Sequence, residues 1–299
     1  MPKAVIMCRQ RLGVESGFCS SPVHEQPMKT AFSALIAALV ALPCSLHAEL
    51  PSEPGEVASF LEEKGLRLKK DADGHVVELR AGGKEGLTSE EYALVGHLES
   101  LERIAVNGPP LGDGEWSFLE DLPDLRNLTI WHGKEFVSLA NFSGLPVESL
   151  TVGGCMGLTR LAETEEGKRD AVLTLTDLPN LKTLSLYHSP LTPDDSHIRH
   201  IASEFPALEG LRLDFKAPRG QEINVTPEGL RALAALPLRT FRIENFQTFT
   251  PEHIESIAAI ESLEKLVVDA RRATVPEGLF DGFREARPDV EVELMLPKS

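Results

Sequence analysis

Few residues of this chain have the type and spacing to do chemistry. His197 and His200 stand three apart, with Asp194 and His188 nearby. On a helix they share a face and would begin a metal site. Their spacing fixes no third ligand, and Asp194-Asp195 has a simpler use against the dipole of a helix start. No metal is assigned. Cys155 would need an adjacent base to act as a nucleophile; none is indicated, and a small buried thiol is its expected role. The stretch AGGKEGLTS at 81–89 lacks the G-x-x-x-x-G-K-[ST] order that cradles phosphate, and no G-x-S-x-G, H-E-x-x-H or C-x-x-C occurs. With no catalytic set and no cofactor motif, the residues point away from an enzyme and toward binding.

The binding candidates come as matched pairs. Asn127-Leu-Thr129-Ile-Trp131-His132 is paralleled, residue for residue, by Thr183-Leu-Ser185-Leu-Tyr187-His188. Exposed aromatics over a groove are common protein-binding anchors, and they also stack on sugars; the plainer reading is that both rings pack onto loops leaving the sheet, as edge-of-core residues. Further on, Arg212 and Arg242 occur in the same kind of segment, beside Asp214, Glu244 and Asp269. Alternating signs on neighbouring strands read as a solvated ion-pair ladder; the sharper reading is a recognition patch for a charged partner.

The elements that position these residues are repeats. LPNLKTLSL, ending at Leu186, has close copies ending at Ile130, Leu213 and Val268. The second leucine position of L-x-x-L-x-L falls at Val77, Ile104, Leu128, Leu150, Leu184, Leu211, Phe241 and Leu266, a spacing of roughly two to three dozen residues. As strands, the leucines face a core and the residues between them face outward. Eight strands at their usual spacing give an outward face about 35 Å long. Its middle row reads Glu78, Ala105, Thr129, Thr151, Ser185, Arg212, Arg242 and Val267. The next row reads Arg80, Asn107, Trp131, Gly153, Tyr187, Asp214, Glu244 and Asp269. The small residues Thr151 and Gly153 between the two aromatics predict a shallow trough about 9–10 Å wide, two strand spacings.

Between strands, the sequences beginning at 87, 191, 225 and 249 share a helix-start design, with Thr88, Thr192, Thr226 and Thr250 as N-caps. Proline follows three of them at the first helical position, where its missing N–H costs nothing. In the middle of the chain, Pro109–Asp113, Gly133–Glu135 and Gly153–Gly157 replace such helices and predict short or 3₁₀ connections. An insertion near Ala162–Ala171 lengthens one unit. Ahead of the repeats, 56–64 reads as a short helix. Asp71-Ala-Asp-Gly74 then turns a hairpin between Leu66–Lys70 and His75–Leu79.

This arrangement resembles the leucine-rich repeat proteins, most closely bacterial exported ones with ribonuclease-inhibitor-like or cysteine-containing units of the form L-P-x-L-x-x-L-x-L-x-x-T-x-[LV]-T-x-x-G-L. The resemblance implies an α/β fold over 75–299: a right-handed solenoid with a parallel sheet on its concave face and helices on its convex face. It also implies a linker and helix-hairpin cap over 49–80, a closing strand in Arg287–Leu294, and a non-enzymatic protein-interaction role for the concave face. A glycan-binding or cell-envelope scaffold role, resting on Trp131 and Tyr187, is the alternative.

Met28–Ala48 has a basic start at Lys29, an apolar run Ala31–Leu42 and a small-residue cleavage site at Ala48, the pattern of a secretory signal peptide. The apolar run is too short to span a bilayer. Residues 1–27, ahead of a complete signal, read as an extension from a start codon assigned too early. The expected location is exported: periplasmic, cell-surface or secreted. Loss of 1–48 also removes three of the four cysteines and leaves Cys155 alone, so no disulfide framework is available. Formal net charge is −16, and a surface of that sign repels nucleic acid and anionic membrane; it suits basic protein partners or loosely held cations, and most often serves only to keep a protein in solution.

Overall fold

In a computed structural model of the chain, residues 50–81, 86–188, 194–215, 223–246, 248–271 and 275–296 are described. The chain divides into two units, Met1–Ala48 and Glu49–Ser299, and every described residue belongs to the second. The segments 1–27 and 28–48 and the Thr192 cap lie outside the described residues.

The protein is α/β. Helix α1 (Pro54–Glu63) starts two residues earlier than its apolar pattern suggests, because Pro54 fits the first turn without needing its absent N–H, and it buries Val57, Ala58 and Leu61. The hairpin of β1 (Arg67–Lys70) and β2 (Val76–Arg80) comes next. Its turn is closed by Asp71, whose Oδ1 accepts from Asp73 N and His75 N at 2.9 Å each, while Gly74 takes φ +91°, where a side chain would be strained.

The sheet then grows by parallel strands: β3 (Arg103–Asn107), β4 (Asn127–Trp131) and β5 (Ser149–Gly153). A short antiparallel hairpin, β6 (Ala162–Thr164) and β7 (Gly167–Arg169), occupies the insertion and stands outside the sheet. Next come β8 (Thr183–Tyr187), β9 (Gly210–Asp214), β10 (Thr240–Glu244), β11 (Lys265–Asp269) and β12 (Glu291–Met295). Among the described residues, ten strands form this one sheet in chain order, all parallel neighbours except β1 and β2.

Ile104, Leu128, Leu150, Leu184, Leu211, Phe241 and Leu266 lie in one row across the sheet. All are buried in a single core with the apolar faces of the helices, each contributing about 1.5–3 kcal/mol. The first strand departs from the predicted register: Leu79, not Val77, lies beside Ile104. An irregularity between Lys69 and Lys70 shifts the hairpin, burying Val76 rather than Val77. Arg80 therefore belongs to the middle outward row, beside Ala105, and Glu78 to the row before it.

The connections are of the expected kinds, although the first two 3₁₀ turns lie several residues after the segments 109–113 and 133–135 that predict them. Thr88 caps α2 (Ser89–Ala93) in a reciprocal box with Glu91. 3₁₀ turns at Ser117–Asp121, Leu139–Phe142, Met156–Thr159 and Ala171–Thr174 replace α-helices in the middle of the chain. α-Helices return at α3 (Asp195–Glu204), α4 (Pro227–Arg231), α5 (Pro251–Ala258) and α6 (Leu279–Ala286). Asp194 caps α3, accepting from Ser196 N at 2.8 Å, two residues beyond the predicted Thr192. Its backbone is held by a parallel bridge to Asn224. Among the described residues no helix is long and apolar enough to cross a membrane.

Candidate binding face

The register places the matched segments side by side, with β5 between them. Asn127 and Thr183, both exposed, flank Ser149; Thr129 and Ser185 flank Thr151; Trp131 and Tyr187 flank Gly153. The predicted trough between the rings is not present. Trp131 Nε1 donates to Tyr187 Oη at 2.5 Å, so the two rings close over Gly153. The physical reason is that each ring carries a polar atom that needs a partner when half-buried, and a glycine lets them meet. A Cβ at Gly153 would lie 2.7 Å from Tyr187 Cζ and 3.0 Å from Trp131 Cδ1. Gly153→Ala is therefore expected to part the rings, remove a hydrogen bond worth about 1 kcal/mol and red-shift the emission of Trp131. The second tryptophan, Trp116, is buried and serves as the constant background. An unchanged spectrum would show that the rings do not touch in solution.

The bridge continues toward the C-terminal strands. The Arg212 guanidinium lies over the Tyr187 ring, 3.8 Å from its centre. Ser185, in the strand beside Arg212, is only 8% exposed although it belongs to the outward row. Arg212 also gives Nη2 and Nε to Glu244 Oε1, at 2.8 and 3.1 Å. Arg242 gives Nε to the same oxygen at 2.6 Å. Glu244 is 4% exposed, so this pairing is not the solvated ladder that the alternating charges predict. It is a buried carboxylate held by two half-exposed arginines. Asp214, equally buried, accepts from His188 N at 2.8 Å and from Asn245 Nδ2 at 2.7 Å. Arg271, donating to both Asp269 oxygens, holds that carboxyl below the usual range against some burial.

His132 and His188 carry a backbone role that sequence reasoning missed. With Asn245 they take φ near +55°, at the position just past each strand where Gly108 and Gly154 also turn left-handed. Histidine and asparagine tolerate that region better than most residues, at a cost of about 1–2 kcal/mol. The available signal was their place directly after the strand end. His132 is exposed, and its Nδ1 donates to Asn107 Oδ1 at 2.6 Å.

Two depressions flank the bridge. One, of about 460 Å³, lies over β8–β11 and is lined by Arg212, Arg242 and Arg271 with the carboxylates of Asp214, Glu244 and Asp269. The other, of about 520 Å³, lies over β1–β4 and ends against Trp131. There Glu78 takes Nε of Arg80 and, at 3.2 Å, Nε of Arg103. Burial pushes the Glu78 carboxyl up, but these donors outweigh it and hold it below its ordinary value. Sequence reasoning did not single out Arg80 or Arg103, whose signal was an outward charge inside a leucine strand.

The histidine–aspartate group is not gathered as a metal site. His197 is fully buried, with Nδ1 on Asp194 Oδ1 at 2.9 Å, while His200 Nε2 bonds Leu175 O at 2.8 Å. Among the described residues the one cluster of metal-ligand type is Asp71, Asp73 and His75, exposed in the hairpin turn whose backbone Asp71 already satisfies. Cys155 is buried, within 3.6 Å of Gly153 O, and burial raises its thiol to about 11, leaving no thiolate for chemistry at neutral pH. No protein-family model matches the chain, and no curated protein sequence matches it.

Proposed function

We propose that this chain is an exported, non-enzymatic leucine-rich repeat protein that binds another protein through the outward face of its sheet. In this reading the parallel strands stack as a right-handed solenoid, with α1 and the β1–β2 hairpin covering its first unit. One observation carries the functional part. On β4, β5 and β8 every outward position from Asn127 to Tyr187 is Asn, Thr, Ser, Gly, Trp or Tyr, in a chain with 25% charged residues. An uncharged strip crossed by a fixed aromatic pair suits a partner, because charge is depleted and aromatics are enriched at interface centres. Rings already held by hydrogen bond and guanidinium lose little freedom on binding.

Capture from an envelope extract tests this, comparing the parent with Trp131→Ala/Tyr187→Ala. The ring-less variant is expected to lose the captured partner; a variant that captures everything the parent does would overturn the reading. A glycan ligand is the second reading, favoured by the hydroxyl-bearing Thr129 and Thr151, side by side in the row next to Trp131. Binding on a glycan array that disappears in the same variant would select it.

A further inference from the structure

We propose that the depression over β1–β4 is a subsite for an extended acidic segment of the partner, an inference that rests on the sheet-face reading above. Its lining holds three arginines, Arg67, Arg80 and Arg103, against one carboxylate, Glu78. That balance is opposite in sign to the whole chain, whose net charge is −16. Both Glu78 oxygens are already in use, Oε1 by Arg80 and Oε2 by Arg103. Arg103 spends a further nitrogen on Glu102 at 2.8 Å. Arg80 gives only Nε, and its side chain is 68% exposed. Arg67 forms no ion pair among the described residues and is exposed. Guanidinium N–H groups therefore remain for an incoming carboxylate, which they bind in a planar, two-point geometry.

The floor decides between carboxylate carriers. Its centre is Ala105 and Thr129, with Asn107 and Asn127 at the edges and the Trp131 ring closing one end. Alternate side chains of an extended peptide repeat at about 7 Å, and adjacent strands at about 4.8 Å. An acidic residue against Arg67 and Arg80 thus places the side chain two residues on over Ala105 and beside Trp131. Against the Ala105 methyl group and the Trp131 ring an uncharged, apolar side chain fits there better than a second carboxylate. A mixed acidic–apolar peptide supplies both; a uniformly charged polyanion supplies only the first and meets the repulsion of the whole chain.

The test is calorimetric titration of the full chain at low salt with the capped peptide Gly-Glu-Ser-Leu-Ser-Glu-Gly. Its lysine-for-glutamate analogue and an oligogalacturonate are run alongside. Saturable binding of the glutamate peptide, little or none of the lysine peptide, and at least tenfold weaker binding in Arg67→Glu/Arg80→Glu are expected. Arg80→Glu also takes a partner from Glu78, so a single cooperative melt checks the variant's fold, and Arg67→Glu alone, which breaks no ion pair among the described residues, should weaken peptide binding in the same direction. No binding of the glutamate peptide, equal binding of the lysine peptide, unchanged affinity in the variant, or tighter binding of the oligogalacturonate would each overturn the proposal. Partner capture separates this failure from that of the face itself. If ring removal abolishes capture but the arginine variant binds the peptide unchanged, the acidic subsite is wrong and the face stands. If capture survives ring removal while peptide binding still needs Arg67 and Arg80, the subsite stands and the broader reading falls.

Discussion

Glu244→Ala is expected to lower stability by about 3 kcal/mol, because removing one member of a buried ion pair strands the other. Here one buried oxygen holds two guanidiniums, Nη2 of Arg212 at 2.8 Å and Nε of Arg242 at 2.6 Å. Without it the arginines repel each other beside a protein interior, although their partial exposure lets water meet some of that cost. For a unit of this size the Tm should fall by about 6–12 °C. The effect should also reach the aromatic pair on the outward sheet face, since Glu244 holds the Arg212 guanidinium that lies over the Tyr187 ring. Thermal melts read the first effect and Trp131 emission the second. A Tm within a degree of the parent would mean that the carboxylate is hydrated and the bridge is not anchored there.

Gly157→Ala should cost about as much, for an unrelated reason. A Cβ at Gly157 would sit 2.2 Å from Phe136 O and 2.6 Å from Lys134 O. These are backbone atoms and have nowhere to go. Phe136 is locked against Trp116 and Phe142, with ring centres 5.3 and 5.9 Å away, and Arg160 Nη2 holds Lys134 O at 2.9 Å. Inserting a methyl group against fixed backbone costs about 3 kcal/mol. Gly55→Ala is the control: nothing lies within 4 Å of its Cβ position, and α1 should be unaffected or slightly firmer. Equal Tm for the two variants would show that the 3₁₀ turn at Met156–Thr159 is loosely packed and yields to the added methyl group.

The parallel strands and most of their connections were legible in the sequence because leucine spacing reports burial directly. Ile104 through Leu266 fall in the row that their pattern predicts. Legibility failed where a local device overrides the period, as at β2, where the irregularity at Lys69/Lys70 moves Leu79 into the place assigned to Val77. The site was legible as a set of positions and not as an arrangement. Alternation places Trp131, Gly153 and Tyr187 in one row, but it does not say that the rings would reach across and bond. Charge alternation places Arg212 near Glu244, but long side chains choose among several partners, and stacking on Tyr187 depends on packing that no spacing encodes.

The most direct measurement is the dissociation constant of the captured partner, taken by calorimetry for the parent, Trp131→Ala/Tyr187→Ala, and the helix-side variant Glu255→Ala. Two aromatic anchors at an interface centre are worth about 2 kcal/mol or more, about thirtyfold in affinity. A loss of at least thirtyfold for the double variant, with no change for exposed Glu255 on α5, is the expected result. Parent-like affinity in the ring-less protein, or a larger loss at Glu255, would place the partner on the helices and contradict the role given to the sheet face.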